Sequence, residues 1–283
     1  MKRPVITVIA ILAAGALIAG GAVAWSALTR KPLPLAEQCS ATAGGHTTTV
    51  TIEQAVNAAI IAGVSVRRGL PPRAASIALA TAYQESGIRN LNYGDADSLG
   101  LFQQRPSQGW GTKAQVMDPW YSSAKFYAAL VKVKNWQTAD INNVAQAVQR
   151  SAYSNAYRQH EQNARSLASS LTGQTPASFT CALRSVSAAD PKGMASYLTK
   201  TYGGAITVSA PGPTPTQALT VTTTSTATAW SAAQFAVATA KRFGVASVAA
   251  NGYSWTYAAW SQPSWKKDAT ATDATRVTIT FAG

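Results

Sequence analysis

The chain has 283 residues, 47% hydrophobic and only 12% charged, which is enough apolar material for two modest cores. Lys and Arg number 24 against 11 Asp and Glu, giving a formal net charge of +13 and a pI near 10.0. Acidic residues are scarce, and the basic ones are not massed in one run. The excess suits an anionic partner: nucleic acid, anionic lipid or cell-wall polymer.

Residues 1–28 open with Lys2 and Arg3 and continue as "PVITVIAILAAGALIAGGAVAW", without a charge from Val5 to Trp25. That run is long enough to span a bilayer, and it also holds Ala22-Val23-Ala24, a signal-peptidase-like pattern. A signal peptide or a membrane anchor is expected, and either one exports the remainder. Residues 29–48, rich in Pro, Gly and Thr, read as a linker. Export makes Cys39 and Cys181 legible as a disulfide bracketing the segment with the strongest helical signals. The chain-entropy model puts so long a closure at about 4–5 kcal/mol.

Residues 49–182 carry helix signals in series. Thr51 and Gln54 form a capping-box pattern before Ile52, Val56 and Ile60. Pro72 stands at a helix start and Gly87 at its stop. Asp118-Pro119, Asp140 and Ser154 open further helices, the last ending at Gly173. Among these lies an irregular lobe, residues 89–112, "RNLNYGDADSLGLFQQRPSQGWGT", too long for an ordinary connection. Residues 184–283 mix signals: Asp190-Pro191 starts a helix, "AITVSAP", "ALTVTTTSTA" and "RVTITFA" alternate like strands, and "AWSAAQFAVATAKRFG" reads as an amphipathic helix.

Glu85 closes the apolar helix "ALATAYQES". A carboxyl in that position is either a solvated side chain at a frayed end or a desolvated acid that keeps its proton near neutral pH. The second is what protonating a glycosidic oxygen requires. In the lobe, the amides of Gln103 and Gln104 suit sugar hydroxyls and N-acetyl groups, and Tyr93 and Trp110 offer flat faces. Asp95 and Asp97 are read first as turn formers and second as candidates for a hydrolase's other carboxylate. His46 and His160, without a Cys–His cluster, count against a metal site, and no cofactor is expected. No nucleophile elbow supports a Ser151–His160–Asp140 set, and no P-loop is present. Trp230, Trp255, Trp260 and Trp265, with Tyr253 and Tyr257, read as core packing of the C-terminal portion rather than a sugar platform.

"QES" at a helix end, followed by "GLFQ" at 100–103, resembles soluble lytic transglycosylases of the lysozyme-like fold, over roughly residues 50–172. It resembles still more closely a group of exported actinobacterial proteins carrying "GDxDSLGLFQQRPSQGWGT". The resemblance implies Glu85 as acid/base, Ser86 as the serine that follows it, and Gly100, Leu101 and Gln103 as the second motif, with Phe102 in place of Met. It implies cleavage of the β-1,4 bond between N-acetylmuramic acid and N-acetylglucosamine, with a 1,6-anhydro product. The family's Ala-Tyr-Asn-Ala-Gly motif has no match: Val148 and Gln149 stand where Tyr and Asn would, leaving Gln149 as a substitute amide.

The expected architecture is thus an all-α lysozyme-like domain over 49–182 and a small α+β domain over 184–283, preceded by an N-terminal transmembrane or signal helix. The expected partner is peptidoglycan or another anionic wall polymer, with no nucleic acid. The membrane is expected as a partner through residues 1–28 if they are uncleaved, and an envelope protein through 184–283. A glycan-binding or envelope-assembly module without catalysis is the alternative.

Overall fold

Strand β1 (Gln38–Ala43) and the threonine-rich β2 (His46–Val50) pair antiparallel across Gly44-Gly45. Both glycines have positive φ, at 58° and 75°, the backbone that a two-residue hairpin turn demands. The computed structural model that shows this describes residues 36–149, 155–209 and 218–282. A third strand, β3 (Phe179–Ala182), pairs with the free edge of β1 and makes the order β2-β1-β3. Its register sets Cys39 opposite Cys181, and the two form a disulfide. Closing 142 residues in this way stabilises the fold by about 5 kcal/mol in the chain-entropy model.

These strands overturn the expectation of an all-α domain. Among the described residues helix accounts for 45% and strand for 21%, in two antiparallel sheets, so the fold is mixed α/β. The residues read as linker include the first hairpin. Gly-Gly flanked by threonines has the composition of a tether until a partner strand far along the chain pairs with it. The run expected as a signal or membrane helix lies outside the described residues, as do Ser151 and Ser154. Among the described residues no helix is long and apolar enough to cross a membrane.

Helix α1 (Ile52–Arg67) begins at the Thr51–Gln54 capping box, in which side chain and backbone bond reciprocally. Helix α2 (Pro72–Ser86) starts on Pro72 and is buried from Ala74 through Ala82. Then come α3 (Lys113–Val116), α4 (Pro119–Leu130, N-capped by Asp118), α5 (Ile141–Gln149) and α6 (Glu161–Leu171). Beyond β3 lie α7 (Pro191–Tyr202), β4 (Ile206–Ser209), β5 (Ala218–Thr223), α8 (Thr226–Ala238), α9 (Ala240–Phe243), β6 (Val245–Ala250), β7 (Tyr253–Thr256), β8 (Lys266–Lys267) and β9 (Arg276–Phe281). The second sheet runs β4-β5-β9-β6-β7-β8, every neighbour antiparallel.

Helix α8 explains why residues 36–283 behave as one unit. Every residue from Ala229 to Ala238 is buried, so the amphipathic reading of this segment fails. One side packs on α1, α6 and β3, the other on the six-stranded sheet. Both portions of the chain therefore share one apolar core. Its buried Gln234 accepts the Ser178 and Phe179 amides at 3.0 and 2.8 Å, which satisfies two backbone donors at the start of β3. Trp230 and Trp255 are fully buried, and the Trp255 indole donates to Thr180 Oγ1 at 3.0 Å.

Candidate active site

Helix α2 ends abruptly. Gly87 takes the left-handed conformation at φ 63°, and the Ile88 amide reaches back to the Ala82 carbonyl at 2.9 Å. Ile88 is itself buried, so the chain folds over the helix end instead of leaving it. Ser86 then fastens the lobe. Its hydroxyl is bonded to the Leu101 carbonyl at 2.8 Å and to the Ala82 carbonyl at 3.1 Å. Leu101 and Phe102 are fully buried, and Phe102 stacks on Phe126 of α4 at 4.7 Å. Gly100, at φ 78°, leaves room where a Cβ would lie 2.4 Å from the Val116 carbonyl.

Glu85 sits half-buried at this junction. Desolvation is the largest influence on it and raises its pKa above the ordinary 4.5. Two weaker influences lower it. The Tyr157 hydroxyl donates to Glu85 Oε1 at 2.7 Å, and Gln149 adds a second hydrogen bond. Gln149 also donates to the Phe102 carbonyl at 2.7 Å, so it clasps the acid and the lobe together.

The nearby arginines are engaged elsewhere. Arg73 bonds the Trp136 and Ala139 carbonyls, Arg89 the Ser86 carbonyl, and Arg105 the Asp97 carboxylate. Among the described residues no cation pairs with Glu85. On the same helix end the Tyr83 ring stacks on His160 at 5.4 Å, and His160 Nε2 lies 3.1 Å from Gln84 Oε1. Burial lowers the His160 pKa, which favours the neutral ring.

The candidate residues do not all converge. Ser86 and Gln149 meet at Glu85 and the lobe. Gln103 has φ 46°, and its amide donates to the Tyr93 and Gly100 carbonyls at 3.3 and 3.2 Å, so it braces the lobe from inside. Gln104 is 2% exposed and donates to the Ser122 carbonyl at 3.2 Å, beneath the lobe. Tyr93 stands 65% exposed on the lobe's surface. The Asp95 side chain is exposed, and its carbonyl accepts the Ser98 amide in a turn. Asp97 accepts the Ser107 amide at 2.8 Å and Arg105 at 2.9 Å, which pushes its pKa down to about 2.

Tyr157 is the residue that sequence reasoning missed. It lies 72 positions beyond Glu85, fully buried just before α6, with its amide held by Asn142 at 3.2 Å. The only signal was an aromatic in the polar run "SNAYRQH", away from the motif position where a Tyr was sought.

Trp110 and Gln149 also line a groove of about 770 Å3 between the lobe, α4 and α5. No protein-family model matches the chain and no curated protein matches it either.

Proposed function

We propose that this protein cleaves peptidoglycan glycan strands between N-acetylmuramic acid and N-acetylglucosamine, outside the cytoplasm, by a lytic-transglycosylase-type mechanism. The observation that carries the reading is Glu85: half-buried, raised in pKa, without a cation, and held by a phenol and an amide. Such an acid is protonated over a wider pH range than a surface glutamate and has a partner ready to steady its anion. Glu85 gives its proton to the leaving glycosidic oxygen as the C1–O bond breaks. The resulting carboxylate, stabilised by Tyr157 and Gln149, then takes the proton from the muramyl 6-hydroxyl as its oxygen bonds C1. One carboxyl serves both steps, which agrees with Asp97 being tied to Arg105 and Ser107. The disulfide fits an oxidising compartment, and the basic charge fits an anionic wall.

The test incubates the full-length oxidised protein and its Glu85→Gln variant with purified peptidoglycan and reads soluble products by mass spectrometry. Anhydro-muropeptides from the wild type alone are expected. Reducing-end products lost in the variant would replace this mechanism with hydrolysis. Binding to the sacculus without any product would replace it with a non-catalytic glycan-binding role.

A further inference from the structure

The groove beside Gln149 has a composition that glycan cleavage alone does not explain. Trp110 and Val148 line it together with two lysines, Lys125 and Lys132. No carboxylate lines it, and neither lysine has an ion-pair partner among the described residues. Elsewhere acidic residues are spent on partners: Lys200 on Asp118, Lys241 on Glu37, Arg158 on Asp140. Lys125 lies over the Tyr121 ring at 5.9 Å, and the two ammoniums meet no carboxylate along the groove, a setting that favours an anionic ligand there.

Gln149 supplies an independent sign. Its amide nitrogen is occupied by Phe102 and Glu85, yet its Oε1 is buried with no hydrogen-bond partner among the described residues. A buried acceptor without a partner, on a residue that lines the groove, gains its missing bond if a ligand brings an N–H to it. Aromatic face, amide acceptor and paired ammoniums together match a sugar ring, an acylamino N–H and an oxyanion.

We infer that this groove is a subsite for an anionic substituent of the glycan strand, held by Lys125 and Lys132 with Trp110 against a sugar ring. The inference rests on the glycan-cleaving reading and names its substrate class: strands that carry oxyanions, in preference to bare amino-sugar polymers. Two sources supply that chemistry, the carboxylates of peptides attached to the sugars and the phosphates of wall polymers attached to the strand.

Binding is measured in the full-length Glu85→Gln protein, so that no strand is cut. Three fluorescent probes are titrated: uncharged N-acetylglucosamine oligomers, peptide-bearing muropeptide oligomers, and glycan strands bearing a phosphate polymer. At least one charged probe is expected to bind about tenfold tighter than the uncharged oligomer, with an affinity that falls as salt rises. Adding Lys125→Gln and Lys132→Gln closes that gap, while Lys125→Arg with Lys132→Arg keeps it and guards against a folding artefact. Which charged probe gains identifies the source. Equal binding of all three probes, or a gap that survives in the double Gln variant, overturns the subsite. Because cleavage is read separately, a groove indifferent to charge on an active enzyme removes only this inference. Charge-selective binding by a protein that cuts nothing removes only the reaction.

Discussion

Glu85 and Asp97 are both acidic and both belong to the junction of α2 and the lobe, yet the fold treats them in opposite ways. Asp97 lies at the surface, where the Ser107 amide and the Arg105 guanidinium hold it as a carboxylate far below its ordinary range. Glu85 is drawn into an apolar helix end, denied a cation, and pushed the other way by desolvation. The few acids of this chain are thus put to distinct uses. One is used as an anchor whose charge never changes near neutral pH, the other as a group whose proton can move. Hydrogen bonds alone do not separate the two roles, since both carboxyls accept them. Water and a formal positive charge do.

The largest test of that contrast is Glu85→Gln. Glycan cleavage should fall by about a thousandfold, the usual scale of a lost general acid. Stability should move in the other direction. A carboxyl whose folded pKa lies above 4.5 binds its proton more tightly folded than unfolded. The wild type therefore loses stability as pH rises from about 4.5 through the raised value, and the variant does not. Thermal melts of both proteins across that range check the sign. Tyr157→Phe should cost less, about tenfold in cleavage, by removing one charge-assisted bond. Its signature is in the pH profile. The hydroxyl lowers the Glu85 pKa, so its loss moves the alkaline falling limb of activity upward.

Much of the acid's setting could be read from the chain. Pro72 and Gly87 bounded helix α2, and "QES" placed Glu85 on its last turn. What could not be read is what arrives from a distance. Tyr157 reaches Glu85 from 72 residues away, and β3 joins β1 across a 142-residue loop. The two adjacent glutamines look equivalent in sequence. The left-handed backbone at Gln103 turns one onto the lobe and drives the other under it. Helix α8 looked amphipathic because its small residues fit either a wet face or a tightly packed one. Only the packing of this helix between the second sheet and the layer of α1, α6 and β3, which no local pattern reports, decides for the latter.

The contrast also depends on the tie between its two halves. Ser86→Ala removes a buried hydroxyl and leaves the Leu101 carbonyl without it, at a cost of about 1–2 kcal/mol. A drop of a few degrees in melting temperature is expected, with faster amide exchange in residues 99–104 than in α6.

Asp97→Asn should have the smallest effect, and for that reason it is the sharpest. If the carboxylate is an anchor, its removal changes cleavage at neutral pH by about twofold or less. Its consequence belongs in acid. The folded pKa lies below the ordinary 3.8, so the hold of Asp97 on Ser107 and Arg105 is complete above that value and is lost as pH falls through about 2. Trp110 fluorescence, reporting on the lobe, should show that step in the wild type and not in the variant. A variant as inactive as Glu85→Gln would instead make Asp97 a second catalytic carboxylate. The anchored geometry would then belong to the resting enzyme alone, and the single-acid route would give way to hydrolysis with two.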